Sequence, residues 1–382
     1  MSAGEFAWYP SEQVKREANW TAFIRASGMP DYPALAARSS SDPDWFWNEL
    51  IRFVDFRFYK PYDKVRDLSR GLPFAQWCVG GTTNLVLNAL DRKTAAERAM
   101  LAVIWEGENG ELRRWTYDEL DAETCRAAAG LAALGLKKGD VVGVYMPLMP
   151  ETVAAFLAVA KIGCIILPLF SGFGDEALAM RLQDGAAVAL ITVDGTLRRG
   201  QTVAMKAVVD RAAGRVPTLR HVVVVRRLRV DTPMTAGRDI WWHELTAGQS
   251  RNTPTLEVEA EHTLMLIYTS GTTGRPKGIV HTHCGLSIKV AQDTQLDWEF
   301  KRGGRVMWAA DIGWMGGPKV LIGCVLVGAT AVLAEGAPDY PERGRYWRLI
   351  QDHQVSVVGI GPTLARGMRR HGDAEVAKYD LT

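Results

Sequence analysis

The sequence predicts an α/β protein: a helical N-terminal segment followed by two subdomains of mostly parallel sheet flanked by helices. Three observations carry this expectation. From about residue 100 onward, short β-rich runs alternate with amphipathic stretches of helical spacing, the pattern of a parallel sheet with crossover helices. Capping and stop signals punctuate those stretches. The segment before them differs, holding five of the thirteen tryptophans (Trp8, Trp20, Trp45, Trp47 and Trp77) and little β-branched patterning. With 382 residues, 47% hydrophobic and 23% charged, the chain has the composition of an ordinary globular protein and is long enough for two or three domains.

Within the N-terminal segment, assigned to 1–97, residues 12–27 and 43–56 carry apolar side chains at helical spacing. The run 60–81, rich in Pro, Gly and Tyr, reads as irregular linker. The tryptophans are expected to pack against the next domain. The first α/β subdomain, assigned to 98–255, has strand candidates at 141–146, 164–167, 187–192 and 221–225. Between them Thr116 and Glu119 form a capping box that opens a helix running to Leu134 and stopped by Gly135. A second helix covers 150–162, and a third follows Gly200 and ends at Gly214. Residues 226–254, with the pair Trp241-Trp242, read as a surface crossover. The second subdomain, 256–382, resumes the alternation with strands at 263–268, 305–309, 330–333 and 355–359. No internal repeat at a fixed period is visible.

Charge and apolar patterning exclude several function classes. Lys plus Arg number 45 against 43 Asp plus Glu, a net +2 that leaves no field to attract nucleic acid or anionic lipid. The N-terminus lacks a basic start followed by an apolar run. The two most apolar windows, 153–170 and 320–334, are interrupted by Lys161 and Pro168 and by Gly323 and Gly328. No membrane span and a cytoplasmic location are expected, so the Asn19-Trp20-Thr21 sequon should go unused. Cys78, Cys125, Cys164, Cys284 and Cys324 are odd in number and never form a CxxC pair, so buried, reduced thiols are expected. His281, His283 and Cys284 invite a metal reading, but no second ligand cluster accompanies them, and no metal site is assigned.

The most informative stretch is 266–278. An apolar strand runs into Thr269, Ser270, Gly271, Thr272, Thr273, Gly274, Arg275, Pro276, Lys277 and Gly278. Glycines let backbone N–H groups approach phosphate oxygens, hydroxyls donate further bonds, and a lysine adds compact positive charge. A Walker loop is excluded, since Lys277 follows Pro276 and precedes Gly278, with no adjacent hydroxyl. A weaker signal, Gly172-Phe173-Gly174 with Ala177, follows an apolar run, and Asp194 lies where a dinucleotide fold puts its ribose acid. Pro168 and the short helix argue against that alternative.

The segment from Thr269 to Gly278 resembles the phosphate-binding signature of the adenylate-forming enzymes, especially acyl-CoA synthetases similar to acetyl-CoA synthetase. The resemblance extends in order through His281 to Gly285, Ala310-Asp311-Ile312-Gly313-Trp314-Met315-Gly316-Gly317, Gly328 to Thr330, Glu335-Gly336, His353 to Val355 and Gly361 to Thr363, and more loosely back to about residue 40. It implies a two-step ligase using ATP, Mg2+ and coenzyme A: a carboxylate attacks the α-phosphate, pyrophosphate leaves, and the thiol of coenzyme A takes the acyl group. It further implies that Thr269, Ser270, Gly271, Thr272, Thr273, Gly274 and Lys277 hold the phosphates, with Lys277 and Thr269 catalytic. Trp314, Met315 and Gly316 would wall the acid pocket, and Arg198 and Arg199 would meet a coenzyme A phosphate. Acetate-specific relatives carry Val-Thr in place of Met315-Gly316, which points to another short or medium-chain acid; Gln201 stands where a second coenzyme A arginine is expected. The adenine-binding turn, the acid for Mg2+ and the mobile domain with its catalytic lysine all fall after residue 382 in the resembling enzymes. The expectation is therefore an N-terminal piece that binds ATP weakly and does not turn over alone; the alternative is a non-catalytic nucleotide-binding module.

Overall fold

The computed structural model describes residues 9–269 and 276–381. The N-terminal segment forms helices Glu12–Glu17, Asn19–Ala26, Tyr32–Ser41 and Pro43–Phe53. Ser11, Asp31 and Asp42 cap three of them by accepting from the N–H groups of Val14, Ala34 and Trp45, and proline stands in the first turn of the last two. The helix expected over 12–27 is two helices, broken at the extended Ala18. There Asn19 turns its amide to the carbonyls of Gln295 and Phe300, 2.7 and 3.1 Å away. The expected linker contains an antiparallel ribbon of β1 (Lys64–Asp67) and β2 (Gln76–Val79). Trp20, Trp45, Trp47 and Trp77 pack with Phe23, Leu50 and Ile51 onto Cys284, Ile288 and Leu296, so these tryptophans serve as packing, as expected; Trp8 lies outside the described residues.

The chain continues through β3 (Thr82–Thr83), β4 (Leu101–Glu106), β5 (Leu112–Thr116), β6 (Val141–Tyr145), β7 (Ile165–Pro168), β8 (Ala189–Val193), β9 (Thr196–Arg198), β10 (Gln201–Val203), β11 (His221–Val225), β12 (Asp239–Trp241), β13 (Val258–Glu259), β14 (Thr263–Thr269), β15 (Lys277–Thr282), β16 (Arg305–Trp308), β17 (Thr330–Ala334) and β18 (Val357–Gly359). Among the described residues two sheets dominate. One has seven strands in the order β12-β11-β8-β6-β7-β14-β15, parallel except for the β14–β15 hairpin. The other has five, β18-β16-β17-β4-β5, parallel except for β4–β5.

Each of these sheets draws strands from both of the α/β segments assigned to 98–255 and 256–382. β4 and β5, from the first α/β segment, join the sheet built by β16, β17 and β18. β14 and β15, from the second, join β7. Apolar runs reveal that a strand exists, whereas the identity of a parallel neighbour depends on long crossovers that leave no local signal. Expected strands coincide with β6, β7, β8, β11, β14, β16, β17 and β18 to within a few residues. The helix expected after Gly200 begins only at Met205, because 196–203 is taken up by the β9–β10 hairpin.

The helix Tyr117–Ala133 opens with the expected capping box, and Gly135 stops it with φ of 87°. Helix Pro150–Lys161 is buried around almost its whole circumference, since it touches β6 and β7 of one sheet, β4 of the other and the helix 117–133. One apolar core therefore draws residues from both sheets, and each buried Val, Leu or Phe contributes roughly 1.5–3 kcal/mol. A polar tie reinforces it. Arg227, after β11, donates from Nε to Glu335 beyond β17 at 2.8 Å, reaches Glu111 at 2.9 Å, and lies 4.6 Å from the Trp105 ring centre. No described helix is long and apolar enough to cross a membrane.

Candidate functional site

Because β14 runs parallel to β7, Thr269 emerges at the same sheet edge as the loop after β7 and Asp194 after β8, the C-terminal end where α/β sheets bind ligands. Antiparallel pairing sets Lys277 opposite Thr269, and both are exposed. Ser270, Gly271, Thr272, Thr273 and Gly274 lie outside the described residues. Lys277 makes no ion pair with another described residue. Below the hairpin, Tyr268 donates its hydroxyl to Asp184; burial, followed by that carboxylate, raises the Tyr268 pKa and keeps the phenol protonated.

The two sheets meet at this edge through two loops. Ser171, after β7, donates its backbone N–H and hydroxyl to the Asp311 carboxylate after β16, and the Gly313 N–H adds a third donor at 2.8 Å. Burial raises the pKa of Asp311, against the pull of these donors and the positive field of Arg198. Gly313 abuts the Phe170 backbone so closely that a Cβ would lie 2.2 Å from its nitrogen. The neighbouring Trp314 is half exposed and tilts over Phe170 with ring centres 6.1 Å apart. Met315 and Gly316 follow at the start of helix Gly316–Val327.

Met315 also borders a cavity of about 490 Å3 whose walls include His281, Thr282, Trp47, Trp77 and Lys319. Strand β15 thus connects Lys277 to the Met315 wall. Burial lowers the pKa of His281, so it presents a neutral imidazole. His283 faces elsewhere: fully buried, its Nδ1 accepts from the Leu85 N–H at 3.1 Å, and burial, then the charges of His262 and Lys138, lower its pKa to about 3. Among the described residues no three His, Cys, Asp or Glu side chains gather as a metal would need.

Arg198 and Arg199 occupy the β9–β10 turn, where Arg199 and Gly200 have φ of 51° and 72°. Arg199 pairs with Asp339 at 2.7 Å, and the Gly200 N–H donates to Glu108 at 2.8 Å, so the turn is fastened to the segment after β17 and to the β4–β5 connection. Asp194, weighed above as a ribose acid, is buried and closed to a ribose: its Oδ1 accepts from the N–H groups of Gly195, Arg227 and Leu228, and its Oδ2 is buried without a hydrogen-bond partner among the described residues. That geometry leaves the dinucleotide alternative without its acid. Sequence reading did not single out Ser171, Phe170 and Asp311 as site residues. For Asp311 the signal was its position within the family-like run 310–317; Phe170 and Ser171 directly precede the Gly172-Phe173-Gly174 segment.

Residues 90–382 match the model of the AMP-binding enzyme family, and residues 32–89 match that of the acetyl-coenzyme A synthetase N-terminus. An acetyl-coenzyme A synthetase of Deinococcus radiodurans is 41% identical over 373 residues, covering 96% of this chain and 56% of that protein. One from Streptomyces coelicolor is 42% identical over 348 residues, 90% of this chain and 53% of that protein. Among solved structures, acetoacetyl-CoA synthetase from Streptomyces lividans superimposes with a TM-score of 0.91 at 30% identity, covering 99% of this chain and 58% of that one. The chain spans about half the length of the curated relatives it matches.

Proposed function

The chain belongs to the AMP-binding enzyme family, and from that membership we propose that it serves an ATP-dependent carboxylate–CoA ligase. In this reading a short or medium-chain acid attacks the α-phosphate of ATP, pyrophosphate leaves, and the acyl group passes from AMP to the thiol of coenzyme A. The observation that carries the reading is the exposed Thr269–Lys277 pair at the C-terminal edge of the seven-stranded sheet, beside the loops that join the two sheets.

Lys277 and Thr269 bind the β- and γ-phosphates together with Ser270, Gly271, Thr272, Thr273 and Gly274, whose part rests on sequence. The charge accumulating on the phosphates is offset by Lys277, placed in advance of the reaction. Mg2+ supplies further charge when bound. The described residues gather no metal-ligand cluster, so no step is drawn through it. Trp314, Met315 and Gly316 wall the acid, and the cavity behind Met315 supports an acid larger than acetate. Arg198, exposed, meets a coenzyme A phosphate; Arg199 must first leave Asp339. The five unpaired, buried cysteines suit a reducing compartment, and we assign the reaction to the cytoplasm.

Calorimetric titration of ATP and AMP into the chain and its Lys277→Ala variant tests the reading. A lost charge-assisted contact of about 1.5–3 kcal/mol predicts ATP affinity lower by ~10–100-fold, with AMP changed by less than about 3-fold. Equal losses for both nucleotides would remove Lys277 from phosphate binding and leave the proposal without its main support.

A further inference from the structure

We propose that Cys78 and Cys284 form a reversible dithiol–disulfide pair in the wall of the 490 Å3 cavity, a modification site closed by a peroxide-class oxidant. The two residues are 206 positions apart (284 − 78), and the fold alone joins them. Cys78 is in β2 and Cys284 in the first turn of helix His283–Gln292; both are buried, belong to the same apolar cluster and line the same cavity. Their elements touch closely: Cα atoms of β2 and the helix approach within 8 Å, and a Cβ on Gly285 would sit 4.0 Å from the Trp77 ring. Burial first, then the neighbouring Cys78 thiol, raises the Cys284 pKa far above the ordinary thiol value, so its sulfur must give up a tightly held proton before it reacts.

The backbone adds an independent observation. Cys78 has φ of 51°, a left-handed conformation that L residues seldom adopt outside glycine and asparagine. It is held by a turn in which the Cys78 carbonyl accepts from the Gly81 N–H at 3.0 Å, while Cys284 is held by its own N–H donating to the Ala260 carbonyl at 3.0 Å. The backbone of each cysteine is thus held by a hydrogen bond to another segment or turn. Cys125, Cys164 and Cys324 are buried as well, but neither line this cavity nor belong to this cluster.

The chemistry balances with peroxide as the oxidant. One thiol sulfur attacks the O–O bond, giving a sulfenic acid and water. The second attacks that sulfur and expels another water. Two thiols and one hydrogen peroxide become one disulfide and two waters, with two electrons passing from sulfur to oxygen. The bond ties β2 of the N-terminal segment to the helix that follows β15.

The test is to treat the 382-residue chain with hydrogen peroxide, count free thiols after denaturation and map linked peptides by mass spectrometry. The expected result is a fall from five free thiols to three, a Cys78–Cys284 cross-link, and recovery of all five with dithiothreitol. Cys78→Ala or Cys284→Ala should hold the count at four under peroxide, whereas Cys125→Ser should still lose two. No loss of thiols, a linkage through another cysteine or between chains, or a sulfinic acid at Cys78 or Cys284 in place of the cross-link would overturn the proposal. The map of the unaltered chain decides the matter even where a variant fails to fold.

Discussion

Arg227→Met tests how the two sheets are held in the relative position that sets the site. The guanidinium is nearly enclosed and donates to Glu335, whose side chain is 1% exposed, at 2.8 Å. The variant leaves that carboxylate buried with Thr196 as its remaining side-chain donor. Breaking such a pair from one side costs about 3–5 kcal/mol, because a desolvated charge loses its partner. The contact with Glu111 adds little, since that carboxylate is 46% exposed and regains water. Met fills the volume over Trp105, so the loss is electrostatic rather than a cavity. Adding Glu335→Gln should recover about 2 kcal/mol or more, since the uncompensated charge is gone. Urea unfolding of the four proteins in the cycle, followed by circular dichroism, reads out each term. A cost below about 1 kcal/mol for Arg227→Met, or additivity of the two substitutions within ~0.5 kcal/mol, would refute the reasoning.

Two further outcomes follow from the same geometry. The neutral, buried His283 has a folded pKa of about 3 against the ordinary 6.5, so the unfolded chain binds a proton that the folded chain refuses; stability should fall as pH drops from about 6.5 towards 3, by up to roughly 5 kcal/mol. His283→Gln should flatten that slope relative to the unaltered chain in urea midpoints at pH 7, 5 and 4, and identical slopes would count against it. Gly313→Ala places a Cβ 2.2 Å from the Phe170 backbone, which cannot rotate away, and should cost about 2–3 kcal/mol while shifting the emission of the half-exposed Trp314. Gly367→Ala, in a helix with nothing within 4 Å, is the control and should be neutral or slightly stabilising; if the two variants behave alike, the close approach at Gly313 has no energetic weight.

Much of the strand inventory was legible, because a buried parallel strand is a short apolar run between turn formers, as in β8 and β11. The capped helix 117–133 was legible to within a residue, because Thr116 and Glu119 encode its start locally. β9 and β10 were not, since three-residue strands carry too little pattern. β4, with the sequence LAVIWE, has the composition of a buried strand but lay too near the change in pattern at residue 100 to be separated from it. Of the candidate site, Lys277 and Thr269 were visible because a glycine and hydroxyl loop after a strand is chemically unusual, and Trp314 only through the resemblance of 310–317 to the adenylate-forming enzymes. Asp311 and Ser171 were not, because a lone acid and a lone serine 140 positions apart reveal a shared bond only when folded.

The sequence by itself determined the α/β class and the order of most helices and strands, and it singled out the loop around Lys277 as a candidate for binding phosphate. Propensity, capping and hydroxyl or cationic character are properties of residues within a few positions of one another. The tertiary structure alone decided which strands share a sheet, that Arg199 pairs with Asp339, and that Cys78 and Cys284 line one cavity. Those are consequences of parallel pairing and burial across hundreds of residues, where the deciding energy belongs to contacts between segments that carry no mark of each other.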